Sequence, residues 1–275
     1  MQNPKVSLIM STLGRYNEII LLLNSLLEQS YKNFELIIID QNDDDLVTEI
    51  YNKYREKLNI TYIKSEKKGL SVGRNIGLNY ISGDIVAFPD DDCEYNSDTL
   101  EKAALFFNEN PDYNFLTCNT REKYGNNSIF EAKKENCNIG ISNIMYTGIS
   151  FTIFIRLDSI ATFNFDEKLG VGAEFGSGEE TDLLLYLLKN NNRGFYYSNS
   201  YIFHPYKPET VEKAFQYGKG YGAIHKKAFF VYKFYRLFFM FLITLLKEAV
   251  KICFYPHSSV RLSSMQGRIY GFIHY

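Results

Sequence analysis

The first hundred residues alternate between short apolar runs and longer segments in which apolar side chains recur every three or four positions. The apolar runs lie at residues 6–10, 34–39, 61–64 and 85–88. The segments with helical spacing lie at residues 16–29, 46–58 and 70–80. Strands that are separated by helices are joined by right-handed crossovers into a parallel sheet. The sequence therefore predicts an α/β fold for this part of the chain.

Three consecutive aspartates, Asp90, Asp91 and Asp92, follow the last of these apolar runs. Ligands of such sheets bind beyond the carboxyl ends of the strands, where Ser11 and Asp40 also fall. Carboxylates packed this closely repel one another, and they are relieved by solvation, by a partner cation or by a hard divalent metal. The aspartates therefore predict either a metal site or a solvated acidic turn.

Composition limits the class of protein and shows an uneven charge distribution. A chain of 275 residues with 45% hydrophobic and 23% charged residues is typical of a globular protein with a sizeable core. The net charge is only −2, but residues 206–275 hold 11 Lys and Arg against 3 Asp and Glu. A cationic C-terminal segment favours a polyanionic partner, either a membrane surface or a nucleic acid.

The C-terminal segment also contains an uncharged apolar run at residues 237–246, with lysines and arginines on both sides. Ten residues are too few to span a bilayer, which takes about 20 in a helix. A basic, aromatic-rich helix over residues 226–251 that lies on an anionic membrane is one interpretation. A helix buried against the rest of the protein, or at a dimer interface, is the other.

Several segments in a fixed order resemble the family-2 glycosyltransferases, which have the GT-A fold. Those of the nucleotide-binding half are residues 6–12, 34–40, 73–77 and 88–92. Those of the acceptor side are residues 165–170, 176–182 and 204–205. The resemblance implies a mainly parallel sheet flanked by helices over residues 1–205. Residues 1–100 would bind the nucleotide-sugar and residues 101–205 the acceptor, followed by a helical C-terminal tail over residues 206–275.

The resemblance also implies a site for Mn²⁺ or Mg²⁺ and for a nucleotide-sugar. Asp90 and Asp92 match the two ends of the family's metal-binding motif, and His204 is either a third ligand or a packing residue. The residues implied in nucleotide-sugar binding are Ser11, Thr12, Asp40, Gln41, Arg74, Asn75, Asp90 and Asp91. Ser11 and Thr12 have a second interpretation, as caps of the following helix. Gln41 replaces a second aspartate that the family often has, which leaves the base of the donor open.

Three acidic residues, Glu179, Glu180 and Asp182, follow a glycine-rich turn and open an apolar helix. By residue matching with the family, Glu180 is the candidate catalytic base and Glu179 the second candidate. Asp182 would orient the acceptor or the donor sugar. Acidic residues also favour helix N-termini because they interact with the helix dipole, which would explain one or two of the three without catalysis.

The expected function is metal-dependent, inverting transfer of a sugar in surface polysaccharide synthesis, of the rhamnosyltransferase-like kind. The acceptor would be a saccharide or a polyprenyl-linked saccharide. No nucleic-acid partner is expected for this function, and a homodimer is compatible with the sequence. A processive synthase is disfavoured because the chain contains no tryptophan. The alternative is a non-catalytic nucleotide- or saccharide-binding protein, or a membrane scaffold, with the same fold. Four widely spaced cysteines and no secretion signal predict a cytoplasmic location, with peripheral attachment to the inner face of the membrane.

Overall fold

The computed structural model describes residues 3–123, 135–158, 160, 162–254 and 259–275. The chain forms two compact units. The first unit contains residues 1–68, 72–163 and 191–206, and the second contains residues 69–71, 164–190 and 207–275. The functional domains predicted at 1–205 and 206–275 stay a prediction.

A parallel sheet forms the first half of the first unit. Its elements are β1 (Val6–Thr12), α1 (Asn17–Leu27), β2 (Phe34–Asp40), α2 (Leu46–Tyr54), β3 (Ile60–Lys64), α3 (Leu70–Gly77) and β4 (Ile85–Ala87). Strands β1, β2 and β4 are buried along their whole length, as expected of strands covered on both faces. The predicted strands and helices of this region are confirmed.

The register of the parallel strands brings polar residues together at one edge. Strand β1 pairs with β2 so that Thr12 lies opposite Asp40, and β2 pairs with β3 so that Asp40 lies opposite Lys64. On its other side β1 pairs with β4, whose chain continues into Asp90. The carboxyl ends of β1, β2 and β4 therefore deliver the predicted polar residues to the same edge of the sheet.

The second half of the first unit adds strands of both directions. Its elements are β5 (Glu94–Tyr95), α4 (Thr99–Glu109), β6 (Phe115–Arg121), β7 (Cys137–Ile139), β8 (Ile153–Arg156) and β9 (Gly194–Phe203). Within the described residues the sheet has the order β3-β2-β1-β4-β8-β6-β9-β5, with β7 beside β9. Strand β8 is antiparallel to both β4 and β6, whereas β6 and β9 are parallel. The predicted α/β class is confirmed, and the sheet is mixed on this side.

Helix α3 packs closely on strand β1 because two of its residues are glycines. A Cβ atom on Gly73 would overlap the side chain of Ser11, and one on Gly77 would overlap Ile9. The close approach fixes the helix relative to the strand. Arg74, next to Gly73, is thereby fully buried.

The second unit is helical, which confirms the predicted helical tail. Its helices are α5 (Glu179–Lys189), α6 (Val211–Phe230), α7 (Tyr235–Phe254) and α8 (Ser259–His274). Helices α6 and α8 run parallel in close contact, with Gly218 against Gly267, Gly222 against Arg268 and Gly271 against Lys219. A Cβ atom at Gly271 would overlap the carbonyl oxygen of Lys219, so the backbones approach as closely as small residues allow.

Helix α7 leaves most of its apolar surface exposed. Of its described residues, only Leu237 and Phe241 are buried. Its exposed apolar residues are Tyr235, Phe239, Leu242, Ile243, Leu246, Val250 and Phe254. In the described part of the chain, none of the helices combines the length and the hydropathy needed to cross a bilayer.

Candidate active site

The three aspartates that follow β4 lie in a partly buried cluster in the first unit. The side chain of Asp90 is 24% exposed, whereas those of Asp91 and Asp92 are almost fully buried. Arg74 donates from Nη2 to Oδ1 of Asp90 at 2.9 Å. Because Arg74 is buried, this ion pair fixes Asp90 from the side of helix α3.

A second arginine contacts the other two aspartates. Nη1 of Arg15 lies 2.6 Å from Oδ1 of Asp91 and 2.5 Å from Oδ2 of Asp92. Arg15 lies between β1 and α1, directly after Gly14, whose φ of 73° is a left-handed conformation that favours glycine. Sequence analysis missed this contact. The one available signal was the position of Arg15 just beyond the carboxyl end of β1.

Thr12, predicted to bind the nucleotide-sugar or to cap a helix, contacts the acidic cluster. Its hydroxyl donates to Oδ2 of Asp91 at 2.7 Å. The capping interpretation is wrong, because helix α1 begins at Asn17 and its cap residue is Tyr16. Burial raises the pKa of Asp91 to about 6, against the opposing effects of the Arg15 charge and the Thr12 hydrogen bond. Asp91 is therefore held on two sides by the segment that leaves β1.

His204 follows strand β9 and reaches the same cluster. Its Nδ1 lies 2.9 Å from the carbonyl oxygen of Pro205, a pair in which only the ring N–H can donate. Its Nε2 lies 3.1 Å from Oδ1 of Asp92, and its ring stacks on Phe151 with centroids 4.8 Å apart. Because Nδ1 carries the proton of a neutral ring, the lone pair of Nε2 then points at a carboxylate oxygen. A second proton on the ring, or a cation bound by both Nε2 and Oδ1, would remove the repulsion between these two lone pairs.

Asp90, Asp92 and His204 form a group that fits a divalent ion. One ligand atom from each residue lies within 4.8 Å of the others. Carboxylate oxygens and an imidazole nitrogen suit Mn²⁺, and Mg²⁺ takes mainly the oxygens. The inward-facing lone pair of His204 and the buried carboxylate of Asp92 both favour a cation at this position. The residues present therefore fit the metal that the sequence predicts.

Asp40, predicted to bind the base of the donor, is fully buried at the end of β2. Its Oδ2 accepts hydrogen bonds from Tyr62 at 2.6 Å and from Lys64 at 3.0 Å. Its Oδ1 accepts from the backbone and the side-chain nitrogen of Asn42 at 2.9 and 2.7 Å. Four hydrogen bonds from the chain fill the acceptor sites of one carboxylate. Asp40 thus holds the chain beyond β2 in place.

The remaining nucleotide-sugar candidates lie at the same edge of the first unit. Ser11 and Gln41 are buried, and the backbone N–H of Gln41 donates to the carbonyl of Thr12 at 3.0 Å. Asn75 lies on α3 next to Arg74 and is partly exposed. The structure therefore brings Ser11, Thr12, Asp40, Gln41, Arg74, Asn75, Asp90, Asp91, Asp92 and His204 into one unit. Whether they bind a nucleotide-sugar stays a prediction.

The three predicted catalytic acids lie at the N-terminus of helix α5, in the second unit. Gly178 precedes them with a φ of 94°, and its carbonyl accepts from the backbone N–H of Asp182 at 2.9 Å. Glu179 is buried and Glu180 is partly exposed. Glu180 accepts a hydrogen bond from the hydroxyl of Thr181 at 3.2 Å. The catalytic role of these residues stays a prediction.

Asp182 belongs to a hydrogen-bonded network that sequence analysis missed. Lys227 on α6 donates to Oδ2 of Asp182 at 2.7 Å and to Asp166 at 2.8 Å. Tyr232 donates to Oδ1 of Asp182 at 2.7 Å, and Tyr275 donates to Asp166. Burial raises the pKa of Asp182 in spite of these partners. Burial also acts to raise the pKa of Asp166, but its hydrogen bonds with Lys227 and Tyr275 lower it overall.

Comparison with known families decides what kind of protein this is. The family model described as Glycosyl transferase family 2 matches residues 7–167, more than half of the chain. The chain belongs to glycosyl transferase family 2. The matched segment contains β1 from its second residue, β2, α3 and all three aspartates of the cluster. The predicted family is confirmed, and with it the prediction of a glycosyltransferase at the level of the family.

Curated relatives of this family-2 chain match its first part. Poly(ribitol-phosphate) β-N-acetylglucosaminyltransferase TarS of Staphylococcus aureus is 35% identical over 109 residues, which are 38% of this chain and 19% of TarS. The putative teichuronic acid biosynthesis glycosyltransferase TuaG of Bacillus subtilis is 34% identical over 109 residues, 38% of this chain and 43% of TuaG. The match spans about a fifth of the length of TarS and of two uncharacterized glycosyltransferases from Rickettsia.

Solved structures confirm the GT-A fold of this family-2 chain. Residues 1–349 of S. aureus TarS in complex with UDP-GlcNAc align with a TM-score of 0.63 and 25% identity, covering 80% of this chain and 65% of that one. A mannosyltransferase from Pyrobaculum calidifontis in complex with GDP-Man and Mn²⁺ aligns with a TM-score of 0.67 over 98% of this chain and 86% of that one. Its identity of 13% supports the shared fold alone.

Proposed function

We propose that the protein transfers a sugar from a nucleotide-diphosphate donor to a saccharide or polyprenyl-linked acceptor in surface polysaccharide assembly, with inversion at the anomeric carbon. The observation that carries this proposal is the group formed by Asp90, Asp92 and His204 in a family-2 chain. The names of the relatives, which act on poly(ribitol-phosphate) or are assigned to teichuronic acid synthesis, support the class of acceptor.

Asp90, Asp92 and His204 are the residues that would hold Mn²⁺ or Mg²⁺. A bound divalent ion would neutralise the negative charge that grows on the departing diphosphate. Arg74 keeps Asp90 in position through a buried ion pair, and Phe151 holds the ring of His204 by stacking. These contacts fix two ligands before any ion arrives, so little reorganisation is needed on binding.

The donor nucleotide would lie beyond the carboxyl ends of β1 and β2, as ligands do in sheets of this type. Ser11, Thr12 and Gln41 supply polar groups there, and Asp40 fixes the chain around Gln41 through its own four hydrogen bonds. Asp91, Arg74 and Asn75 complete the proposed set. Asp40 would thus act on the base of the donor indirectly, by fixing Asn42, Tyr62 and Lys64 around the proposed pocket.

Glu180 is proposed to take the proton of the acceptor hydroxyl, whose oxygen then attacks the anomeric carbon in line with the departing diphosphate. Glu180 is partly exposed at the start of α5, whereas Glu179 is buried. A base must be reached by its substrate, which favours Glu180 over Glu179. Asp182 is engaged by Lys227 and Tyr232, so we assign it to positioning the start of the helix.

The test of the proposal is a screen of UDP- and GDP-sugars for release of the nucleoside diphosphate, with Mn²⁺, with Mg²⁺ and with a chelator. We expect hydrolysis or transfer with at least one donor, and its loss when the metal is removed. Nucleotide binding by calorimetry that persists in the chelator, together with no turnover of any donor, would instead support a non-catalytic binding protein.

We also propose that helix α7 lies on an anionic membrane, which would place the enzyme beside a lipid-linked acceptor. The exposed apolar residues of α7 lie along one side of the helix, and Phe239, Leu246 and Phe254 are 61%, 68% and 77% exposed. Residues four and seven positions apart lie on the same face, so these form one stripe. The helix has too few apolar residues to cross a bilayer, and an apolar stripe on such a helix fits a position in the membrane interface.

The charges of α7 support an anionic surface as the partner. Its exposed charged residues Arg236, Lys247 and Lys251 follow one border of the stripe, and its acid, Glu248, pairs with Lys251 and Arg261. Basic side chains beside an apolar stripe attract acidic lipid headgroups by about 1 kcal/mol each near the surface. A second copy of the chain would meet the same basic border, so like charges disfavour a dimer through this face.

The membrane proposal is tested by sedimentation with phosphatidylglycerol vesicles and with phosphatidylcholine vesicles. Substitution is preferable to removal of residues 226–275, because removal would take α8 away from α6. We expect the wild type to bind only the anionic vesicles, and the pairs F239S/L246S and R236Q/K247Q to lose binding. L105S, at an exposed apolar residue of α4, is the control. A change in oligomeric state by light scattering, without a change in vesicle binding, would identify a dimer contact instead.

A further inference from the structure

Arg15 lies among the carboxylates that are proposed to hold the divalent ion. One nitrogen of its guanidinium, Nη1, lies 2.6 Å from Asp91 and 2.5 Å from Asp92. The two oxygens of Asp92 have different partners: Oδ2 contacts Arg15, and Oδ1 lies 3.1 Å from Nε2 of His204. The same carboxylate therefore belongs both to an internal ion pair and to the proposed metal site.

The two arginines of the cluster differ in how firmly they are held. Arg74 is fully buried on α3 and pairs with Asp90, so it is a fixed charge. The side chain of Arg15 is 34% exposed and follows Gly14 on a segment between a strand and a helix. Breaking an ion pair costs less free energy when the arginine is partly hydrated than when it is buried. Arg15 is therefore the exchangeable cation of the cluster.

A divalent ion on Asp92 would lie next to the guanidinium of Arg15 and would be repelled by it. Like charges this close in a partly buried site cannot both keep full contact with one carboxylate. We infer that Arg15 is the resident counter-cation of the three aspartates, and that it weakens divalent-ion binding until an anionic donor arrives. This inference rests on the proposed function, because it concerns the same metal site.

The chemistry of the donor suggests how the exchange is completed. A guanidinium binds a diphosphate through paired N–H groups, so a nucleoside diphosphate offers Arg15 a second anionic partner. Once Arg15 contacts the diphosphate, Asp92 is released to the ion. Nucleotide and metal then strengthen each other's binding, and by linkage the effect is the same in both directions. Free metal would bind weakly and the metal with nucleotide would bind tightly.

The first measurement is the affinity for Mn²⁺ alone, by electron paramagnetic resonance, for the wild type and for R15Q, R15K and R55Q. Arg55 is exposed beside Glu56 and serves as the matched control. Removing the charge in R15Q is expected to tighten Mn²⁺ binding by about tenfold, the size of a charge-assisted hydrogen bond. R15K and R55Q are expected to remain near the wild type, since both leave a cation at residue 15. Thermal melting confirms that each variant is folded.

The second measurement repeats the titrations with UDP and with GDP. In the wild type the nucleotide is expected to tighten Mn²⁺ binding by at least about tenfold more than it does in R15Q. If Arg15 had only a structural role, R15Q would bind Mn²⁺ more weakly both with and without the nucleotide. Equal Mn²⁺ affinity of R15Q and wild type, or no Mn²⁺ binding by R15Q without nucleotide, overturns the inference.

The outcome for Asp92 separates this inference from the proposed function. If the wild type binds Mn²⁺ with nucleotide and D92A does not, the metal site stands whatever R15Q shows. If neither UDP nor GDP produces Mn²⁺ binding in the wild type, the metal site itself is wrong and the inference falls with it. Tighter Mn²⁺ binding by R15Q than by the wild type, measured without nucleotide, supports both the metal site and the inference about Arg15.

Discussion

The two units each bury a cluster of carboxylates, and they neutralise it in different ways. In the first unit, Asp90, Asp91 and Asp92 are paired with two arginines, and one of these is partly exposed. In the second unit, Asp166 and Asp182 share the single ammonium of Lys227, with Tyr232 and Tyr275 as further donors.

Under our proposal, the first cluster exchanges its cations and the second keeps them. A guanidinium at the edge of solvent can be replaced by a metal ion or can turn to a ligand. An ammonium that is enclosed by two carboxylates and two phenols cannot leave without exposing buried charge. We therefore interpret the first cluster as the binding site and the second as the support that positions the start of α5.

The strongest test of this contrast is substitution of one aspartate in each cluster. Asp92→Ala removes a carboxylate of the proposed metal group, so we expect metal-dependent donor binding to be lost and activity to fall by about a thousandfold or more. Asp182→Asn is expected to keep Mn²⁺ binding. Calorimetry with Mn²⁺ and nucleotide measures both, and D112A, at an exposed aspartate, is the control. Metal binding by D92A equal to that of the wild type would remove the distinction between the clusters.

The next effect concerns chemistry at the start of α5. Glu180→Gln keeps the shape of the side chain but removes its ability to take a proton. We expect kcat to fall by about 10²–10⁴-fold with little change in donor binding, as is usual for loss of a general base. Single-turnover kinetics and nucleotide calorimetry measure the two quantities.

A parallel Glu179→Gln variant decides between the two glutamates. Glu179 is buried, so we expect E179Q to change stability more than kcat. The assignment of the base would pass to Glu179 if the fall in kcat appeared in E179Q and not in E180Q.

The role of Lys227 as a fixed support predicts a loss of stability and little change in metal affinity. Lys227→Met leaves Asp166 and Asp182 buried without their shared cation, which typically costs about 2–4 kcal/mol. Urea denaturation followed by tyrosine fluorescence measures the free energy of unfolding. K189M, at an exposed lysine on α5, is the control. A K227M protein as stable as K189M would show that the second cluster is exchangeable as well.

The sequence was sufficient to predict the edge of the sheet at which the first cluster lies. The apolar runs determined the strands, and parallel pairing placed Thr12 opposite Asp40 with the aspartates after β4. The family resemblance then supplied the metal motif and the acidic start of α5. The strands and the position of the aspartates follow from local pattern and are confirmed, whereas the roles that the resemblance supplied stay predictions.

The partners of the acids could not be predicted in the same way. Lys227 is 61 residues from Asp166 and 45 residues from Asp182, and no local pattern connects them. Arg15 reaches Asp91 only because Gly14 turns the chain after β1. The apolar run of α7 predicted a helix, but its periodicity alone did not show that only Leu237 and Phe241 would be buried. Such contacts depend on how the elements pack.

The smallest expected effect is a difference between the units in their response to acid. His225 on α6 is buried between Tyr221, Phe241 of α7 and the positive charge of Arg268 on α8. Burial lowers its pKa to about 4, and the charge of Arg268 acts in the same direction, against the hydrogen bond to the Tyr221 carbonyl. The folded state therefore binds fewer protons than the unfolded state, so this contribution to stability is complete above pH 6.5 and is lost as the pH falls towards 4.

Glu35 in the first unit behaves differently. Burial acts to raise its pKa, but hydrogen bonds from Lys5, Ser7 and Ser82 lower it to about 2. Its contribution is present above about pH 4.5 and is lost only as the pH falls towards 2. Between pH 6.5 and 4.5 we therefore expect the hydrogen-exchange protection factors, which are corrected for the intrinsic exchange rate at each pH, to fall in peptides of α6 and α8 and to be retained in those of β1 and β2. His225→Gln should flatten this dependence in the second unit, and an equal fall of the protection factors in both units of the wild type would contradict it.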